Sequence, residues 1–139
     1  EAMLFHNMKR GVDRIDNVRA LEAPLWSHNL RLAGRVDCVA DFDGKLSIID
    51  FKGSTRKKNP TKITNYFCQA TAYSIMWHEM MGESIDQIVI LISSEDGANQ
   101  IFVKHPLEFV PELKRVIDVY YNANPLEKST AESGQTLWG

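Results

Sequence analysis

Acidic residues are missing from one long stretch of this sequence. Between Phe51 and His78 there is no aspartate or glutamate, while Lys52, Arg56, Lys57, Lys58 and Lys62 all fall there. Cysteine is scarce as well. Cys38 and Cys68 are too few for a disulfide framework or a four-cysteine cluster, so no iron–sulfur cluster is expected from this chain alone. Both are expected to be reduced core residues of an intracellular protein. No apolar run approaches the roughly 20 residues of a membrane span, and no signal-peptide pattern opens the chain. A membrane partner is therefore not expected. The first residue is Glu1 rather than methionine, as expected of a fragment or a processed form. What remains is ordinary globular composition, 44% apolar and 24% charged over 139 residues, which suits one domain with a self-supporting core. The formal net charge of −2 gives no global sign of a polyanionic partner. The acid-free basic stretch is a local feature, either a phosphate-binding patch or a solvated loop.

Periodicity divides the chain into alternating strands and helices. Residues 2–10 suggest a short helix ended by Gly11. Val18 to Trp26 reads as a strand with Pro24 near its end, hence an edge, and Ser27-His28-Asn29 as a turn. Leu30 to Phe42 alternates as a long strand, and the hairpin dipeptide Asp43-Gly44 joins it antiparallel to a strand from Lys45 to Gly53. A polar connection over residues 54–63 precedes a helix from Thr64 to Met81, stopped by Gly82. Strands follow at Gln87–Ser93 and Gln100–Lys104, then a last helix that starts near Pro106 and Pro111 and reaches about Tyr121. Residues 1–123 are expected to form the domain and 124–139 a tail without periodicity.

Asp50 and Lys52 carry the chemistry. Two residues apart on a strand, they share a face about 7 Å apart along the chain. Asp37, thirteen residues upstream in the neighbouring strand, supplies a second carboxylate. Charges on central strands are expensive to bury unless paired or bound to metal. Two carboxylates sharing a divalent cation, with a lysine beside them, meet that condition and are also equipment for cutting a phosphodiester. The competing reading is a salt-bridge set joining the acids to Lys52 and Arg35.

Three segments in order, Gly34-Arg35-Val36-Asp37, Ile49-Asp50-Phe51-Lys52 and Gln69-Ala70-Thr71-Ala72-Tyr73, resemble the G-x-x-D, D-x-K and Q-x-x-x-Y motifs of RecB-like nucleases in the PD-(D/E)XK superfamily. The resemblance covers about residues 18 to 104, and within it the segment from Val18 to Lys52 is most similar to the mitochondrial genome-maintenance exonucleases and their phage relatives. The resemblance implies an α/β fold with a restriction-endonuclease-like αβββαβ core, a central mixed sheet flanked by helices. It implies Mg²⁺ or Mn²⁺ held by Asp37, Asp50 and the carbonyl of Phe51, with Glu22 as a further acid at the metal. Lys52 would orient the attacking water or stabilise transition-state charge. Gln69 and Tyr73, four apart and on one helix face, would pack beside the site. Ser54, Arg56, Lys57, Lys58 and Lys62 would contact the DNA.

The implied activity is exonucleolytic trimming of single-stranded DNA ends in replication, recombination or repair. A structure-specific endonuclease and a DNA-binding module with impaired catalysis remain as alternatives. The implied compartment is the bacterial or phage-infected cytoplasm or the mitochondrion. Fuller members carry a metal-binding histidine upstream. Either His6 is its degenerate equivalent or the true one precedes Glu1. His28, His78 and His105 are expected on the surface or in turns.

Overall fold

In the computed structural model, which describes residues 12–54, 60–95, 97 and 99–123, Asp43 and Gly44 both take positive φ, 52° and 81°. That is the type I′ signature whose twist matches two antiparallel strands. Arg14 clamps the turn, its Nε donating to Asp43 Oδ1 and Oδ2 at 2.9 and 3.1 Å and its carbonyl accepting from Asp43 N at 3.1 Å. The strands so joined are β2 (Leu32–Phe42) and β3 (Lys45–Ser54), paired antiparallel from Phe42↔Lys45 to Cys38↔Ile49.

Outside β2 lies β1 (Ile15–Ser27), antiparallel to it. Beyond β3 lies β4 (Gln87–Ser94), and the two run parallel, so a crossover is needed between them. Helix α1 (Pro60–Met81) supplies it. β5 (Asn99–Lys104) closes the order β1-β2-β3-β4-β5, antiparallel to β4. A 3₁₀ turn (Pro106–Phe109) then leads into α2 (Val110–Ala123). The result is the expected α/β arrangement, a mixed sheet flanked by helices. Among the described residues no helix is long and apolar enough to cross a membrane.

Helix α1 departs from expectation at its start. The polar connection expected over residues 54–63 includes Pro60, yet the helix begins there. At the first helical position the missing N–H has no partner to lose and the ring presets φ. Lys62 therefore belongs to the first turn of α1 and not to a loop. Ser54 likewise ends β3, opposite Ser94. At its other end α1 stops as expected, with Gly82 at φ 74° and its N–H returning to the carbonyl of His78 at 2.9 Å, a left-handed cap.

The middle of α1 is buried on nearly every side, from Phe67 to Trp77. It packs on one sheet face with Val36, Val39, Ile48, Ile88, Ile90 and Ile92. Phe67 stacks on Phe109 at 4.8 Å and meets Phe102 edge-on at 5.9 Å, which ties α1 to β5 and the 3₁₀ turn. Cys68 lies in this cluster, whereas Cys38 joins Ala40, Phe42, Ile49, Val89 and Leu91 on the opposite face. Both cysteines are free and buried, and burial pushes both thiols up to about 11. The Tyr121 hydroxyl donates to the carbonyl of Arg31, pinning α2 to the β1–β2 turn. Residues 2–10, His6 and the tail lie outside the described residues.

Candidate active site

The β2–β3 ladder stops at Cys38↔Ile49, one step before Asp37 and Asp50. Instead of a ladder partner, the backbone N–H of Phe51 finds the Asp37 carboxylate, at 2.9 Å to Oδ2. The two strands thus open where their acids sit, and Asp37 fills the gap. On β3, alternation sends Ile48, Asp50 and Lys52 toward α1, while Ile49 and Phe51 join the opposite face.

Asp50 is only 6% exposed. Burial, together with its hydrogen bond to Asp37, pushes its carboxyl up to about 7 even though Lys52 pulls the other way. Lys52 Nζ lies 2.9 Å from Asp50 Oδ2, donates to Gln69 Oε1 at 3.4 Å, and sits 4.7 Å from the centroid of the Tyr66 ring. Tyr66, Gln69 and Tyr73 are spaced three and four apart, on one face of α1. Tyr73 is buried and hydrogen-bonded to Gln69 and to the backbone of Arg35. Burial, reinforced by the nearby Asp50, moves its phenol up to about 12.

Gly34 explains how β2 and α1 come this close. A Cβ there would lie 2.8 Å from both Cε1 and the hydroxyl oxygen of Tyr73, so the glycine is required for space. We expect Gly34→Ala to push the ring off its seat and to cost about 1–3 kcal/mol, as overpacking does. Chemical denaturation of the two proteins checks this. An unchanged midpoint would show that the ring yields freely.

The structure therefore brings together Asp37, Asp50, Lys52, Gln69 and Tyr73, all selected from sequence, and adds Tyr66. Tyr66 is not among the site residues expected from sequence, where it is one apolar residue of the helical pattern of α1. Its offset of three from Gln69 was the available sign that it shares the site's face.

Glu22 is exposed and falls between the pairs Leu21↔Cys38 and Ala23↔Val36, opposite Asp37. It has φ 46°, an unfavourable left-handed conformation for a glutamate. Ala20 and Val39 pack toward α1, and so do Ala23 and Val36. The inward face of both strands therefore slips by one residue across Glu22 and Asp37. Among the described residues, no three His, Cys, Asp or Glu gather as a metal cluster. The side chain of Ser54 and residues Arg56, Lys57 and Lys58 lie outside the described residues. Lys62 is exposed on α1. His28, His78 and His105 are exposed, as expected, and His105 Nδ1 caps the 3₁₀ turn by accepting from Leu107 N at 3.1 Å.

The donor set fits a hard divalent cation. Two neighbouring carboxylates, one nearly buried, cannot easily both ionise without positive charge between them, and oxygen ligands suit Mg²⁺ or Mn²⁺.

Comparison with known proteins adds independent findings. The family model described as the PD-(D/E)XK nuclease superfamily matches residues 4–132. Mitochondrial genome maintenance exonuclease 1 of Homo sapiens is 37% identical over 60 residues, a match covering 37% of this chain and 17% of that protein. Its Mus musculus counterpart is 37% identical over 60 residues, covering 37% of this chain and 18% of the relative. The matched stretch thus spans less than a fifth of either relative's length.

Proposed function

The chain belongs to the PD-(D/E)XK nuclease superfamily, and from that membership we propose that it is a metal-dependent deoxyribonuclease trimming single-stranded DNA from its ends. The observation that carries this reading is the meeting of Asp37, Asp50 and Lys52 at the opening between β2 and β3. Similarity to exonucleases supports the preference for ends.

Asp37, Asp50 and the carbonyl of Phe51 would hold Mg²⁺ or Mn²⁺, with Glu22 on the adjoining strand as a further carboxylate. Bound there, the cation supplies Lewis acidity and lowers the pKa of water. The ammonium of Lys52 offers three donors beside the carboxylates. It orients the attacking water and stabilises negative charge as it grows on the phosphoryl oxygens. Gln69 accepts from that ammonium, and Tyr73, seated on Gly34, steadies Gln69. Arg56, Lys57, Lys58, Lys62 and Ser54 supply the backbone contacts that hold a strand without reading its sequence. Residues 1–123 form the nuclease domain and 124–139 a tail, and the protein acts inside the cell in replication, recombination or repair.

The test uses end-labelled single-stranded DNA, linear and closed circular, with Mg²⁺, Mn²⁺ or chelator. The linear strand is expected to be degraded with either metal, the circle to survive, and chelator to stop the reaction. Rapid cutting of the circle would replace the exonuclease with an endonuclease. Robust cleavage in chelator would remove the metal mechanism.

A further inference from the structure

We infer that Tyr66 is a positioning residue for Lys52, holding its ammonium in place through the face of the aromatic ring. The inference rests on the nuclease reading for its purpose, but its geometry stands alone. Among the described residues, three groups surround Lys52 Nζ: Asp50 Oδ2 at 2.9 Å, Gln69 Oε1 at 3.4 Å and the Tyr66 ring at 4.7 Å. The last distance is well inside the roughly 6 Å over which a ring quadrupole attracts a cation.

These three groups differ in kind. Asp50 is also a proposed metal ligand, so its carboxylate cannot serve Lys52 and a cation equally. Gln69 and Tyr66 are neutral, have little affinity for a hard divalent ion, and project from a single helix three residues apart. They hold the ammonium in place whatever Asp50 binds. Lysine in particular needs such a seat. Its charge ends a flexible four-carbon stem with large rotamer entropy, and a general electrostatic role requires the charge to be in place before reaction.

The first experiment needs neither metal nor DNA. Urea unfolding of the metal-free parent, Tyr66→Leu, Lys52→Ala and the double variant forms a double-mutant cycle, which isolates the direct contact. Tyr66→Leu is expected to lower the folding equilibrium constant at least about 3-fold more in the parent than in the Lys52→Ala background. Additive losses would overturn the contact. The second experiment measures turnover. Tyr66→Phe, which keeps the ring, is expected to retain clearly more of the parental kcat than Tyr66→Leu. Tyr66→Leu should lower kcat roughly 3- to 30-fold, with KM and DNA affinity in Ca²⁺ unchanged. Coupling in the cycle with unchanged kcat would overturn the positioning role. Weakened DNA affinity with unchanged kcat would assign the ring to the substrate instead. A parent that does not cleave would overturn the nuclease reading, and the unfolding cycle would still decide the contact.

Discussion

Asp50→Asn is expected to leave a folded protein whose metal-dependent cleavage has fallen by roughly 10²-fold or more, the scale set by removing one preorganised transition-state contact. The amide matches the carboxylate in shape and can still meet Asp37 and Lys52, so the fold has no reason to fail. What it loses is the negative charge that would bind a cation beside Asp37. Lys52→Ala should lose a comparable factor by the opposite route, since the carboxylates stay and the ammonium goes. The two variants separate in metal binding. Lys52→Ala should bind Mn²⁺ at least as well as the parent, because Asp50 is freed from its 2.9 Å salt bridge, whereas Asp50→Asn should bind it weakly. Single-turnover cleavage with calorimetric Mn²⁺ titration reads both. Near-parental cleavage by either folded variant would show that the site lies elsewhere.

The second large effect is on stability. Burial and the hydrogen bond that protonated Asp50 donates to Asp37 raise Asp50 from 3.8 to about 7 in the native protein, while the unfolded chain keeps the ordinary value. Between those values the native state binds a proton that the unfolded state does not. Stability of the metal-free protein is therefore greatest below about pH 4 as far as this group is concerned. It declines as pH rises to about 7 and is level above that. A shift of this size corresponds to on the order of 4 kcal/mol. Between pH 5 and pH 8 the decline should be evident in denaturant midpoints. Asp50→Asn should abolish the slope and be more stable than the parent at pH 8. Saturating Mg²⁺ should stabilise the parent at pH 8 by mass action, with little effect on the variant. A midpoint that rises from pH 5 to pH 8 in the metal-free parent, absent in Asp50→Asn, would contradict the assignment.

Much of the sheet was legible because its signals are local. Asp43-Gly44 fixed a hairpin, and the hairpin put Asp37 and Asp50 on neighbouring strands. Alternation then fixed the shared face of Asp50 and Lys52. Gly82 stopped α1 by a left-handed conformation that costs glycine little and most other residues more. Pro60 misled because the same residue breaks a helix interior and begins a helix at its first position, and only tertiary context separates the two. Gly34 stood in a recognised motif, but its reason is a contact with Tyr73 thirty-nine residues away, which no local pattern contains. The slip at Glu22 was hidden for a related reason. A left-handed glutamate inside a strand is a backbone state its side chain does not announce. Tyr66 shows the ambiguity of helical spacing, which marks a face without saying whether that face meets core or site.

The outermost position of β1 among the described strands has a consequence for how copies of this protein behave in a crowded solution. An exposed strand of thirteen residues with Val18 and Leu21 at 52% and 65% exposure would ordinarily template edge-to-edge aggregation. Here, however, four steps from Asp16 to Ala20 are matched by only two on β2, from Asp41 to Val39. Asn17 and Glu22 also turn left-handed on either side of those apolar side chains. A second strand laid along that edge would meet N–H and C=O groups out of phase, and a regular ladder could not propagate past them. The same kinks that shape the strand beside Asp37 thus guard this edge of the sheet against pairing with a second strand.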